Sequence, residues 1–281
     1  MSAAHSQTPD ILLIGHIAED VVEGGTRIGG TVAYAGSTLA ALGHRVAVVT
    51  SMGPSTEWKP PRGLTLEVIP AEETTSFENQ YHQDGRDQFL RSRAVDLDHE
   101  MIPPAWLAAP VVLLAPIADE VDPDLSKSFP DAWLALSPQG WLRRWNAAGE
   151  VARKSIEAID RLPRARMVFL SREDIDGQSE WIERLAKRYR WFILTAGEQG
   201  ADIFKEGEKT HSPAPEATQV DPTGAGDIFA ASFISRYMET KDQIEAARFA
   251  NRLAALSVTR TGLESVPTKE EIEGAREQTD Q

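Results

Sequence analysis

The chain has 281 residues, 43 acidic against 29 basic for a net charge of -14, and it contains no cysteine. That length suits one large α/β domain with a substantial core. The charge opposes a bare polyanion such as nucleic acid as partner, and the absence of cysteine excludes disulfides, thiolate metal ligands and a Cys nucleophile. The longest apolar stretch, residues 105–118, is interrupted by Pro110 and Pro116 and falls short of the ~18 to 20 residues that cross a bilayer. The first ten residues lack the basic start and apolar centre of a signal peptide, so the expectation is a cytoplasmic protein with no membrane partner.

In chain order, short apolar runs predict strands at 11–15 and 46–50, with a helix at 35–42 between them. Further strands are expected at 111–115, 133–137, 167–171 and 191–195, and helices at 151–160 and 179–189. Runs apolar at every position suit strands covered on both faces. Their alternation with helices points to βαβ units around a mostly parallel sheet, and right-handed crossovers place helices on both sides. Two hairpins break the alternation. Residues 77–81 and 88–92 flank "HQDGRD", whose Asp84-Gly85 is a turn signal, with Phe77, Asn79 and Tyr81 on one face. Residues 201–204 and 209–212 bracket "KEGE" in the same way. There is no internal repeat, and the Pro-rich piece "GPSTEWKPPRG" reads as a surface loop.

The stretch "VDPTGAGDIFAASF", residues 220–233, places Gly224, Ala225, Gly226 and Asp227 directly before a segment with aromatic residues at 229, 233 and 237. That i, i+4 spacing predicts a helix. A glycine-rich turn entering a helix leaves unpaired N–H groups at its positive end, a site for phosphate or another anion. The plainer alternative makes Asp227 a helix cap and the glycines a simple turn. A Walker A loop is excluded because no lysine follows a glycine. A dinucleotide fingerprint would need a small residue where Phe229 stands, and the six histidines form no metal-type pair.

The motif "DPTGAGDIFAASF" resembles the C-terminal signature of the PfkB, or ribokinase-like, carbohydrate kinases. Residues 28–53, "IGGTVAYAGSTLAALGHRVAVVTSMG", resemble the N-terminal one. The likeness continues in order through "LLIGHIAEDVV", "LTAGEQGADIF" and "ARFANRLAALSVTRTGLESVP", and it extends over nearly the whole chain. It implies a three-layer α/β/α sandwich with a mostly parallel central sheet and a small β lid, in a single domain over 1–281 with lid elements around 18–31 and 74–94. It also implies ATP and Mg²⁺ as cofactors. Asp227 would be the general base, with Gly224, Ala225 and Gly226 as the anion hole, a kit that suits phosphoryl transfer, which needs alignment and charge stabilisation.

On the acceptor side the resemblance implies Asp20, Gly29 and Gly30, with Tyr34 where many relatives carry a sugar-binding asparagine. Asn79 and Tyr81 would lie on the lid. In "SPQGWLRRW", which looks similar to the myo-inositol-kinase-like branch, Arg143 or Arg144 would meet a phosphate or polyol, and Arg144 is taken as the site residue. On the nucleotide side stand Thr195, Gly197, Gly200 and Asn251. The Asn-x-x-Glu motif that organises magnesium in many relatives is replaced by "LSRED", which leaves Glu173 and Asp174, acting through water.

The reading is an ATP-dependent kinase of a small sugar or polyol. A nucleoside kinase of the same fold is the alternative, since Tyr34 would stack on a base as readily as cover a polyol. A non-catalytic binding protein and a kinase of phosphorylated fructose stand behind them. The edge strand at 77–81 is the candidate for pairing two copies through the lid.

Overall fold

Strands whose every residue is buried form the middle of the molecule, as runs without polar alternation require. The computed structural model describes residues 3–82, 85–175 and 178–279. Its strands are β1 (Ile11–Ile14), β2 (Ala18–Val22), β3 (Gly25–Gly29), β4 (Val46–Met52), β5 (Leu64–Pro70), β6 (Thr75–His82), β7 (Gly85–Ser92), β8 (Val111–Leu114), β9 (Trp133–Leu136), β10 (Arg143–Trp145), β11 (Val151–Arg153), β12 (Met167–Ser171), β13 (Trp191–Thr195), β14 (Ala201–Lys205) and β15 (Glu208–Ser212). The α-helices are α1 (Thr31–Ala41), α2 (Ser179–Arg188), α3 (Ala225–Thr240), α4 (Gln243–Ser257) and α5 (Lys269–Thr279).

The large sheet has the order β15-β14-β13-β12-β9-β8-β1-β4-β5. Strands β12, β9, β8, β1, β4 and β5 pair in parallel, with β13 parallel to β12, and the β14–β15 hairpin closes one edge antiparallel. Alternate residues of each strand feed two cores. Ile11, Leu13, Val46 and Val48 pack with Val32, Phe229, Phe233 and Ala247 on the side of α1, α3 and α4. Leu12 and Ile14 pack with Trp106, Trp141, Trp181 and Leu185 on the side of α2 and the 3₁₀ turns. This is the three-layer sandwich. No helix among the described residues is long and apolar enough to cross a membrane.

A second sheet, ordered β3-β2-β6-β7, stands over the carboxyl ends of the central strands. It is joined to the core by crossings so close that small residues are required. At Gly30 (φ 91°) a Cβ would lie 2.6 Å from His16 O, and at Gly53 one would lie 2.8 Å from Glu73 Cα. His16 ties the crossing together: its Nδ1 meets the Thr75 hydroxyl at 2.7 Å and its Nε2 meets Val95 O at 2.8 Å.

One expected helix is absent. Residues 151–160 form β11 and then a 3₁₀ turn, Ile156–Arg161. Asn146 and Gly149 make a turn, with Asn146 Oδ1 accepting from the N–H groups of Ala148 and Glu150 at 2.9 and 3.1 Å, and the chain returns as β11 against β10. The helical spacing of Ile156 and Ile159 is satisfied by the short turn, which buries Ile159. The expected hairpin at 77–92 is β6–β7, and Asp84 of its turn lies outside the described residues.

Candidate active site

Helix α3 begins where a chain with side chains could not. Gly224 is its N-cap in the left-handed conformation (φ 79°, ψ −5°), without a side-chain cap. A Cβ there would overlap the ring of Tyr34, so space as well as φ demands glycine. Gly226 has no heavy atom within reach of a Cβ and is exposed. It and Asp227 occupy the first turn, whose N–H groups have no intrahelical carbonyl to meet. Ala225 differs from the expectation in part: its N–H already donates to Pro222 O at 3.2 Å.

Asp227 therefore lies inside the first turn and does not cap the helix. Its carboxylate accepts a hydrogen bond from the hydroxyl of Thr31, the buried first residue of α1, so the starts of two helices meet at one carboxyl. Burial pushes the Asp227 carboxyl up to about 7, and the charges of Asp174 and Asp20 push the same way against the Thr31 bond and the Arg143 cation. A carboxylate that titrates near neutrality suits proton abstraction from an alcohol.

Asp20 reaches this point from β2. A Cβ on Gly29 would sit 2.5 Å from Asp20 Oδ2, so the glycine in the neighbouring strand makes the space that the carboxylate fills. Gly29 and Gly30 thus place Asp20 and the start of α1 together. Asp20 and Asp227 lie near enough for each to act on the other's charge.

Tyr34 stands elsewhere than expected. It is 1% exposed and packs with Ile228, Phe249, Leu253 and Ile272, under Gly224 rather than over an open pocket. Burial raises its phenol pKa, and its hydroxyl has no partner among the described residues. It supports the glycine loop from below. The two arginines exchange roles as well. Arg143 lies over the Phe77 ring of the small sheet at 5.8 Å and acts on the Asp227 carboxyl. Arg144, the next residue of the strand, points the opposite way, as alternation dictates. Its Nε donates to Arg153 O at 3.0 Å, and it lines a separate cavity of about 630 Å³ with Asp119, Trp141, Lys154 and Arg161. Asn79 pairs across β6–β7 with Gln88 at 3.0 Å, and the side chain of Tyr81 lies outside the described residues.

The proposed donor end is held differently. Asn251 is buried, and its Nδ2 donates to Ser212 O, Ser212 Oγ and Pro213 O at 2.8, 3.0 and 3.3 Å. Its amide N–H groups fasten the end of β15. Gly200 (φ 92°) lets that same segment pass, since a Cβ would lie 2.6 Å from Ala214 N. Gly197 (φ 56°) is open, and Thr195 Oγ1 donates weakly to Leu170 O at 3.4 Å. Asp174 accepts from Ser171 N–H and Oγ–H, both at 2.8 Å, and from Gln139 Nε2 at 2.6 Å. Glu173 beside it is exposed. Among the described residues no three His, Cys, Asp or Glu side chains converge to hold a metal. Thr31 and Gln139 were not singled out as site residues by their positions in the sequence, and Arg143 was named there only as the alternative to Arg144.

Comparison with known proteins finds relatives of both sequence and fold. Residues 164–270 match the profile of the pfkB family carbohydrate kinases. The chain is similar to an inositol 3-kinase of Oryza sativa subsp. japonica, 28% identical over 288 residues, which span 92% of this chain and 69% of the relative. It is also similar to a cytidine kinase of Thermococcus kodakarensis, 24% identical over 269 residues, 85% of this chain and 92% of the relative. A solved pyrophosphate-dependent kinase in the ribokinase family, complexed with a pyrophosphate analog and myo-inositol, superposes with a TM-score of 0.75 at 20% identity, covering 94% of this chain and 99% of its own.

Proposed function

We propose that this chain, which carries a PfkB-family domain on a ribokinase-like fold, transfers the terminal phosphoryl group of ATP to a hydroxyl of a small polyol or sugar. The observation that carries the reading is the convergence on one carboxylate. Asp227, near-neutral in pKa, stands in the first turn of α3 beside the open N–H groups of a glycine loop, with Asp20 within electrostatic reach.

Asp20 accepts hydrogen bonds from acceptor hydroxyls, as a carboxylate can take two at once. Asp227 removes the proton of the attacking hydroxyl, and Thr31 fixes the carboxylate's orientation. The glycine loop and the positive end of α3 receive charge on the transferring group, and Arg143 adds a cation within electrostatic reach of Asp227. Asp174 is already fully bonded, and Glu173 is exposed. They fit a Mg²⁺ that arrives on the donor phosphates and is met through water, where it would neutralise phosphate charge.

The inositol 3-kinase likeness and the myo-inositol in the neighbouring structure favour a cyclitol acceptor over ribose. The cytidine kinase likeness keeps a nucleoside as the second reading. Tyr34 no longer favours either, because its ring is buried. Lid strands around 18–31 and 74–94 would close over the acceptor.

The test is ADP release by purified protein with ATP and Mg²⁺ against myo-inositol, ribose, fructose and common nucleosides, with pyrophosphate as a second donor. Turnover with a cyclitol or sugar supports the proposal. Turnover confined to nucleosides establishes the second reading, and none with any pair overturns both.

A further inference from the structure

Arg27 of β3 touches two parts of the molecule that the sequence keeps far from it and stands beside a third. Its Nη1 donates to Asp221 Oδ2 at 3.0 Å, across 194 residues. Its stem rests on Gly262, where a Cβ would lie 2.7 Å from Arg27 Cδ, so the 3₁₀ turn Gly262–Ser265 leaves room for that side chain. Across the strand pair its register partner is Asp20, which puts the two side chains on one face of the small sheet.

Asp221 opens the glycine loop. Its other oxygen, Oδ1, accepts from the N–H of Thr223 at 2.9 Å and so shapes the turn that delivers Gly224 to Asp227. The loop's start is also held by Val220 N–H and Asp221 N–H on Val258 O at 2.7 and 3.1 Å. Those bonds fix the loop to α4. The ion pair is the bond that fixes it to the small sheet. The Asp221 side chain is 15% exposed and the Arg27 side chain 41%, so the carboxylate is shielded while part of the guanidinium meets water, and the pair serves geometry more than stability.

We propose that Arg27 is a positioning residue which couples the acceptor-binding sheet to the phosphate loop. When the sheet settles over an acceptor held by Asp20, Arg27 fixes Asp221 and thereby the N–H groups of residues 224–227. This rests on the kinase reading for its consequence, though not for its geometry. Alignment of this kind governs turnover more than binding, because a small misplacement of the reacting groups lowers the rate steeply.

The experiment compares wild-type protein with Arg27→Met, which keeps the stem and removes the charge, and Arg27→Lys, which keeps a cation without the fork. For Arg27→Met the expected result is a kcat at least about 10-fold lower with acceptor KM within about 3-fold, and partial recovery in Arg27→Lys. An unchanged kcat, or a loss that lies wholly in KM, overturns the proposal. Hydrogen exchange needs no turnover. The hydrogen-bonded amides of Thr223 and Ala225 should exchange faster in Arg27→Met while those of β1 and β4 do not change, and equal exchange at those two amides would also overturn it. Should the wild type transfer phosphate to nothing, the kinase reading fails, and the exchange result still decides the role of Arg27.

Discussion

The surroundings of Asp227 and those of Asn251 are built on different principles. Around Asp227, burial pushes the carboxyl up to about 7, and the charges of Asp174 and Asp20 push the same way. Around Asn251 the polar side chains are already bonded. Asn251 is committed to Ser212 and Pro213, and Thr195 leans on Leu170. The difference teaches that one region gathers like charge around a buried carboxyl, while the other uses its side chains to hold backbone in shape. Substitutions in the first region should change rates and acceptor binding, and substitutions in the second should change stability first.

The largest effect expected among the supporting groups is at Asp20. Asp20→Ala should raise acceptor KM by on the order of 10-fold or more, with donor KM unchanged, since two charge-assisted hydrogen bonds are lost. An unaltered acceptor KM would remove Asp20 from the site. Next comes the pair on β10. Arg143→Ala should lower kcat/KM by roughly 10-fold through the lost charge near the transferring group, and Arg144→Ala should leave it within about 2-fold, because that side chain lies on the far face. Equal losses would erase the distinction between the faces.

Asn251→Ala tests the second region. It leaves the carbonyl and hydroxyl of buried Ser212 without their donor, which costs about 1–3 kcal/mol. A fall in Tm of several degrees is expected with acceptor KM unchanged. A rise in donor KM at constant Tm would show instead that the amide meets the donor directly.

The smallest effect concerns pH and stability. A carboxyl whose pKa is raised by folding binds its proton more tightly in the native state, so its contribution is fully present below the unfolded value of 3.8 and is lost as pH climbs through about 7. Asp227→Asn should therefore stabilise the protein at pH 8 relative to wild type, by a few degrees in Tm, and much less at pH 5. A gain equal at both pH values would contradict the raised pKa.

Much of this was legible in the sequence, for identifiable reasons. Strands such as β1 and β8 are apolar at every position, so burial on both faces could be read directly, and the alternation with helices gave the sandwich. The glycine loop and Asp227 are contiguous, so local pattern was enough. Tyr34 was misplaced because α1 is buried along nearly its whole length, from Thr31 to Leu39, and offers no polar stripe to show which way a side chain turns. Asn251 did carry a signal: it falls four residues after Ala247 on the buried side of α4, and a buried amide requires protein partners. Thr31, Gln139 and Arg27 act through contacts far along the chain, which no spacing within a motif reveals, and the choice between Arg143 and Arg144 turned on strand alternation at β10. The strand at 151–153 depends on the turn at Asn146–Gly149, which precedes the stretch expected to be helical and is set by the Asn146 side chain.

The central claim is that Asp227 is the base of a phosphoryl transfer, and the most direct measurement is turnover and ATP affinity of Asp227→Asn beside wild type with the best acceptor found. The geometry predicts kcat lower by on the order of 10²-fold or more with ATP binding largely intact. Turnover equal to wild type would contradict it.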